Sequence, residues 1–192
     1  VGSVAATAWT VRGIIRRMLP VLVVLTAIEL GSGIVLDTFE GTLLRYPTLL
    51  VLVPVTIGMA GNLGSILAAR LSTALHLGLL SFDADDDRLL GNAVATIALA
   101  VTVFPLVGAG AWLLQTVLGG SRLPFLTVVA VALASGVVLA ALAVAVTTVT
   151  TYAAYRFELD PDDVVIPVVT NVCDVLGVLV LFGSVRVLVG SA

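Results

Sequence analysis

Leu123 to Tyr155 reads LPFLTVVAVALASGVVLAALAVAVTTVTTYAAY, a run without one charged side chain, whose polar side chains are all hydroxyls. Crossing the hydrocarbon of a bilayer takes roughly 20 mostly apolar residues, so this stretch is long enough to span. Working outward, Leu89 to Ser121 and Tyr46 to Ala69 are equally free of charge. Met18 to Leu36 is broken only by Glu29, and Val164 to Val185 only by Asp174. A backbone in lipid must satisfy its own hydrogen bonds, and a barrel would show strands of about ten residues alternating in polarity, a pattern absent here. The reading is an all-α integral membrane protein. Its five transmembrane helices are expected at about 18–38, 46–75, 89–118, 123–154 and 163–189, within a single transmembrane domain over 1–192.

Composition supports the same class. Of the 192 residues, 60% are apolar and only 11% charged, and the mean hydropathy is +1.21. A water-soluble domain carries about 25% charged residues because its surface must be wetted. The nine cations are all arginine, and the net charge is −3. No basic face for nucleic acid can be assembled from so few cations. Cys173 is the only cysteine, which forbids an internal disulfide and leaves no zinc-ligand set. The links between spans are too short to bury a soluble core. The partner that composition points to is the lipid bilayer.

Arginine placement orients the spans, since cytoplasmic flanks carry the excess of cations. Arg12, Arg16, Arg17, Arg70, Arg88 and Arg156 fall on one side, and Arg45, Arg122 and Arg186 on the other. This puts the N-terminus in the cytoplasm and the C-terminus outside, in a multi-pass plasma-membrane protein. Residues 1–17 are expected to form a short interfacial helix anchored by Trp9. A secretory signal is disfavoured there, because the apolar stretch contains Glu29 and no small-residue cleavage pattern follows. The acidic links at Asp83–Asp87 and Glu158–Asp163 read either as solvated loops or as a vestibule whose potential gathers cations.

Chemistry centres on the intramembrane polar residues. An ionised Asp174 costs about 2.5–3.5 kcal/mol on insertion scales, which marks such residues as functional candidates. Thr170, Asn171, Asp174 and Gly177 share one helical face, a hydrophilic stripe suited to a pathway; the plain alternative is an Asp bonded to a neighbouring helix. In PVTIGMAGNLGSILAARLS (Pro54–Ser72), Gly58, Gly61 and Gly64 lie three apart. They allow close helix approach, or else loosen the helix and release carbonyls toward a cation. Asn62 among them is either packing glue or a pathway group. Glu29, bordered by Gly31, Ser32 and Gly33, is a second ion site, a proton carrier, or a partner for Arg70. His76, Cys173 and the Thr147–Thr151 cluster read as structural.

Two of these stretches carry a resemblance. PTLLVLVPVTIGMAGNLGSILAARLSTALHLG, Pro47 to Gly78, resembles the second-helix signature of the MgtE magnesium channels and of the related solute carrier family 41 transporters. LDPDDVVIPVVTNVCDVLGVLVLF, Leu159 to Phe182, is similar to their fifth helix, with its Asp-x-x-Gly in the membrane. The resemblance implies an MgtE-like transmembrane domain in a two-fold dimer, carrying Mg2+ or another divalent cation along the dimer axis. It implies that Asp174 holds the hydrated ion, that Asn171 and Asn62 face the same pathway, and that Gly61 and Gly177 are small pore-side positions. Thr170 and Glu29 complete the candidate metal-site set. The bacterial channels place cytoplasmic regulatory domains before this unit, and the eukaryotic relatives hold two such units; the present sequence carries one unit.

The expected cargo is therefore Mg2+, with no further cofactor. Expected partners are lipid and a second copy or a homologous half. An exchanger coupled to sodium or protons through Glu29 is one alternative, and a non-conducting half that needs its homologue is another. No Ser/His pair, HExxH or paired-aspartate motif suggests an enzyme.

Overall fold

A computed structural model of the chain describes residues 10–82, 86–120 and 122–190. Among them there is no strand, and five helices are long and apolar enough to cross a membrane: Met18–Asp37, Pro47–His76, Asp87–Val117, Phe125–Arg156 and Asp163–Val189. The element order is α1 (Val11–Asp37), α2 (Glu40–Arg45), α3 (Pro47–His76), α4 (Asp87–Val117), α5 (Phe125–Arg156) and α6 (Pro161–Val189).

Helix α1 begins under an N-cap in which Thr10 Oγ1 accepts a hydrogen bond from Gly13 N at 3.2 Å. Arg12 and Arg16 stand in its first turns, so no break separates an interfacial segment from the first span. The reason is local: nothing between Val11 and Leu19 interrupts helical hydrogen bonding, and Pro20 is taken up inside the helix. Residues 1–9, with Trp9, lie outside the described residues. The second departure from expectation is α2, a short helix in the link before α3. Phe39 stacks on Phe182 there at 4.0 Å and 9°, which ties the end of α1 to α6.

The other helix ends follow ordinary capping chemistry. After α3 the chain reverses through Gly78 at φ +65°, with Leu79 N donating to Ala74 O at 2.9 Å, a close that a residue lacking Cβ favours. Asp86 caps α4: its Oδ1 accepts from Arg88 N at 2.9 Å and Leu89 N at 3.3 Å, and its Oδ2 from Ser81 N at 2.8 Å. The Ser81 N–H holds the Asp86 carboxyl below the usual carboxylate range against desolvation, with smaller help from the Arg88 and Leu89 N–H groups and the Ser81 hydroxyl. Asp86 thus has a structural task at a helix N-terminus; Asp83, Ala84 and Asp85 lie outside the described residues.

Packing within the bundle relies on small residues, because lipid supplies no hydrophobic drive for helices to associate. Helix α5 packs against α3, α4 and α6; α6 packs against α1, α3 and α5. A Cβ on Gly136 of α5 would enter the ring of Phe104 on α4, and one on Gly108 of α4 would lie 2.9 Å from Ala132 Cβ. Phe104, Leu139 and Ala140 are wholly buried around this contact. Of the threonine cluster on α5, Thr150 Oγ1 donates to Val146 O at 2.7 Å. Thr147 and Thr151 instead bury hydroxyls that have no partner among the described residues.

Candidate cation site

The site is built where α6 crosses α3 and α1. Pro167 has no N–H, so the first part of α6 carries a gap in its ladder, and two polar side chains fold back nearby. Thr170 Oγ1 donates to Ile166 O at 3.0 Å and Pro167 O at 3.1 Å, and Asn171 Nδ2 donates to Pro167 O at 3.1 Å. This leaves the Asn171 Oδ1 buried and without a hydrogen-bond partner among the described residues. An orphaned acceptor in a low-dielectric setting is costly, and it is an oxygen free to face a cation or a water on one.

Facing α6, helix α3 is continuous from Pro47 to His76, with Ser65 Oγ donating to Gly61 O at 2.8 Å. The glycines therefore do not unwind it. They set the spacing of the crossing instead. Gly64 has no room for a side chain, since an added Cβ would strike Val169 Cγ1. Gly177 of α6 is equally tight, its Cβ position lying 2.9 Å from Ile57 Cγ1. Between these two close contacts Gly61 faces Asp174 across a wider gap, 3.6 Å from its Cβ position to Oδ1 and 3.9 Å to Thr170 Cγ2. Gly58 stands on the exposed side of α3 and meets nothing within 4 Å.

The third wall is α1. From Met18 onward its covered positions are Met18, Val21, Leu25, Glu29, Ser32, Val35 and Leu36, the three-and-four spacing of one helical stripe. That stripe lies on α6 and delivers the Glu29 carboxyl to hydrogen-bonding reach of Asp174. The partner is thus a second acid and not Arg70, which is exposed.

Glu29, Gly61, Thr170 and Asp174 therefore meet, with Asn171 and Gly177 within one turn along α6. Asn62 does not join them: it lies on the exposed face of α3, about 100° around the helix from Gly61. Among the described residues no three His, Cys, Asp or Glu side chains come together. Two acids with amide and hydroxyl neighbours make a sparse oxygen set, suited to an ion that keeps much of its water.

The sequence model of the MgtE family, described as divalent cation transporters, matches residues 53–184. The chain belongs to the MgtE family. The MgtE match runs from within α3 to within α6 and takes in Gly61, Asn62, Thr170, Asn171, Asp174 and Gly177, whereas Glu29 precedes it. Among curated relatives, the chain is similar to solute carrier family 41 member 3 of Rattus norvegicus, 28% identical over 164 residues, covering 80% of this chain and 35% of the relative. Its counterpart in Mus musculus is 28% identical over 141 residues, covering 71% of this chain and 29% of the relative. The chain spans about a third of the length of the curated relatives it matches. It is a multi-pass membrane protein of a divalent cation transporter family.

Proposed function

We propose that the chain carries a divalent cation, Mg2+ before others, across the plasma membrane along the face where α3 and α6 meet, with Asp174 as its principal ligand. The observation that carries this reading is the juxtaposition of the Asp174 and Glu29 carboxyls beside Gly61, on the α3–α6 seam between two tight glycine contacts. Asn171 Oδ1 adds an acceptor, and Thr170 and Gly177 shape the wall. A hydrated ion needs few direct protein ligands, because its own waters reach the remaining oxygens.

Asn62 enters through assembly. Its exposed position is open to a second protomer, and a two-fold pair would bring two copies of Asp174 and Asn62 to one axis. The partner is a second copy or a homologous half. The N-terminus is cytoplasmic and the C-terminus external in this scheme.

The test is Mg2+ flux into proteoliposomes holding the chain alone, read by an internal dye, for wild type and Asp174→Ala. Loss of flux in the variant, with the same elution volume on size exclusion, supports the assignment. Undiminished flux sinks it. No flux from a well-folded wild type assigns the chain to the non-conducting half. The carboxyl pair favours a second reading, coupled exchange through Glu29. Uphill Mg2+ movement driven by an imposed sodium or proton gradient would select it over a passive pore.

A further inference from the structure

Away from the cation site, α4 turns one side outward. Val94, Leu99, Val101 and Leu106 are exposed there, and between Val94 and Trp112 the only exposed polar side chain on α4 is Thr102. Thr102 satisfies itself, its Oγ1 donating to Leu99 O at 2.9 Å and to Ala98 O at 3.2 Å. The exposed side of α3 differs: Asn62 stands in the middle of that span, and its amide makes no hydrogen bond among the described residues. Hydrocarbon offers no hydrogen-bond partner, so a face can lie against it without cost only if its donors and acceptors are already paired. The α4 face meets that condition, and the α3 face does not.

Aromatic side chains stand at both ends of the α4–α5 pair. At the turn between the two helices, Trp112 donates from Nε1 to Leu123 O at 3.2 Å and meets Phe125 edge-on, their centroids 5.3 Å apart at 79°; Phe125 is half-exposed. At the other end, Phe82 of the α3–α4 link meets Tyr152 edge-on at 5.4 Å and 72°, and is tilted against Tyr155 at 5.8 Å and 31°. Phe82 holds φ at +57°, a conformation costly for a bulky residue, while Ser81 before it is tied to Asp86 Oδ2 through N at 2.8 Å and Oγ at 3.1 Å. The link bends, at that cost, to bring a ring to this place. Tyr152 and Tyr155 are exposed, and neither hydroxyl has a partner among the described residues. Rings with an apolar body and a polar tip settle where hydrocarbon meets head groups. Phe125 and Tyr152 lie about 40 Å apart along α5 at 1.5 Å per residue, and a bilayer with its head groups is about 40–45 Å thick.

We infer that the outer side of α4 is the lipid-facing edge of the bundle. Its valines and leucines lie against acyl chains, Trp112 and Phe125 stand at one head-group layer, and Phe82, Tyr152 and Tyr155 at the other. The occupant of this face is the bilayer and not a second copy of the chain. Association in lipid gains nothing from apolar area alone, and the face has no unpaired polar group with which to hold another helix. The inference concerns the perimeter of the bundle and stands apart from the cargo and the pairing proposed above.

The experiment is tryptophan quenching in the full chain, reconstituted in phosphatidylcholine whose acyl chains carry bromine either near the glycerol or near the bilayer centre. Trp9→Phe leaves Trp112 as the only tryptophan and changes none of the contacts above. Its emission is expected to fall in both bilayers, and to fall further with bromine near the glycerol. Leu106→Trp, with Trp9 and Trp112 both replaced by Phe, is expected to reverse that order. Emission of Trp112 that neither lipid quenches would mean that protein covers the face, and would overturn the inference. Equal or stronger quenching of Trp112 from the bilayer centre would overturn its head-group placement. Leu106→Cys in a Cys173→Ala background is expected to stay unlinked when the bilayers are oxidised. A disulfide-linked pair would give the face to a second copy and overturn the inference by that route.

Discussion

Glycine behaves in opposite ways in two parts of this molecule. In α1, Gly31 and Gly33 meet nothing within 4 Å of where a Cβ would stand. In the α3–α6 bundle, Gly64, Gly108, Gly136 and Gly177 each sit against a neighbouring helix so closely that a methyl group has no place. The contrast matches burial: among the described side chains of α1 only Leu25 is buried, whereas α3 and α5 bury residues along their whole length. A tightly interlocked core holds Asp174 and Gly61 in fixed register. A single helix laid on its side through one stripe brings the second carboxyl.

That contrast can be broken by substitution. The largest effect is expected from Gly136→Ala, whose methyl enters the ring of the fully buried Phe104. Overpacking of this kind costs about 1–3 kcal/mol, seen as a lower unfolding temperature and a broadened size-exclusion profile. An unchanged unfolding temperature would mean that α4 and α5 are less closely seated than described. Next comes Glu29→Gln, which leaves the fold and removes one charge from the pair. With charges a few ångströms apart, even in a well-screened site, cation affinity should fall by about tenfold or more, measured as the Mg2+ concentration for half-maximal flux. Equal affinity would separate α1 from the site. The smallest effect is reserved for Gly33→Ala, expected to hold or raise stability by no more than about 1 kcal/mol through backbone entropy. A clear loss there would reveal a partner surface on α1.

The parts of the fold that are legible in the sequence are those that depend on a missing charge. Five long uncharged or singly charged runs have one economical explanation in a bilayer, and five spanning helices are found. Helix α2 is hidden because Glu40 and Arg45 make its segment look like an ordinary link, and nothing in the composition distinguishes a solvated loop from one helical turn and a half. The first span begins where the sequence puts it, but its continuity with the residues before it is hidden for a related reason: Arg12, Arg16 and Arg17 suggest a change of environment, and a charge pattern says little about whether the backbone bends.

Within the site, Asp174 and the Gly61 motif can be picked out singly, since each breaks an apolar run. Their contact cannot, because which faces meet depends on the clash of Gly64 with Val169 and of Gly177 with Ile57, and neither pair is linked along the chain. Charge alone offers Arg70 as a mate for Glu29. The covered stripe, Leu25 to Leu36 through Glu29 and Ser32, is present in the sequence, but α1 is apolar on every side and periodicity has nothing to contrast. Asn62 shows the converse limit, for its neighbour Gly61 turns inward while Asn62 itself turns out.

The stack of Phe39 on Phe182 gives α1 a mechanical character that its neighbours lack. The rings clamp one end of the helix to α6, while beyond it the helix is gripped only along one flank. Glu29 lies ten residues from Phe39, about 15 Å along a helix that rises 1.5 Å per residue. Swinging about that clamp by about 10° carries the carboxyl through about 2.6 Å on such an arm, close to the difference between touching Asp174 and admitting a water between them. Phe39 stands where such a lever would pivot, and its stack on Phe182 fixes the end of the arm on which Glu29 is carried.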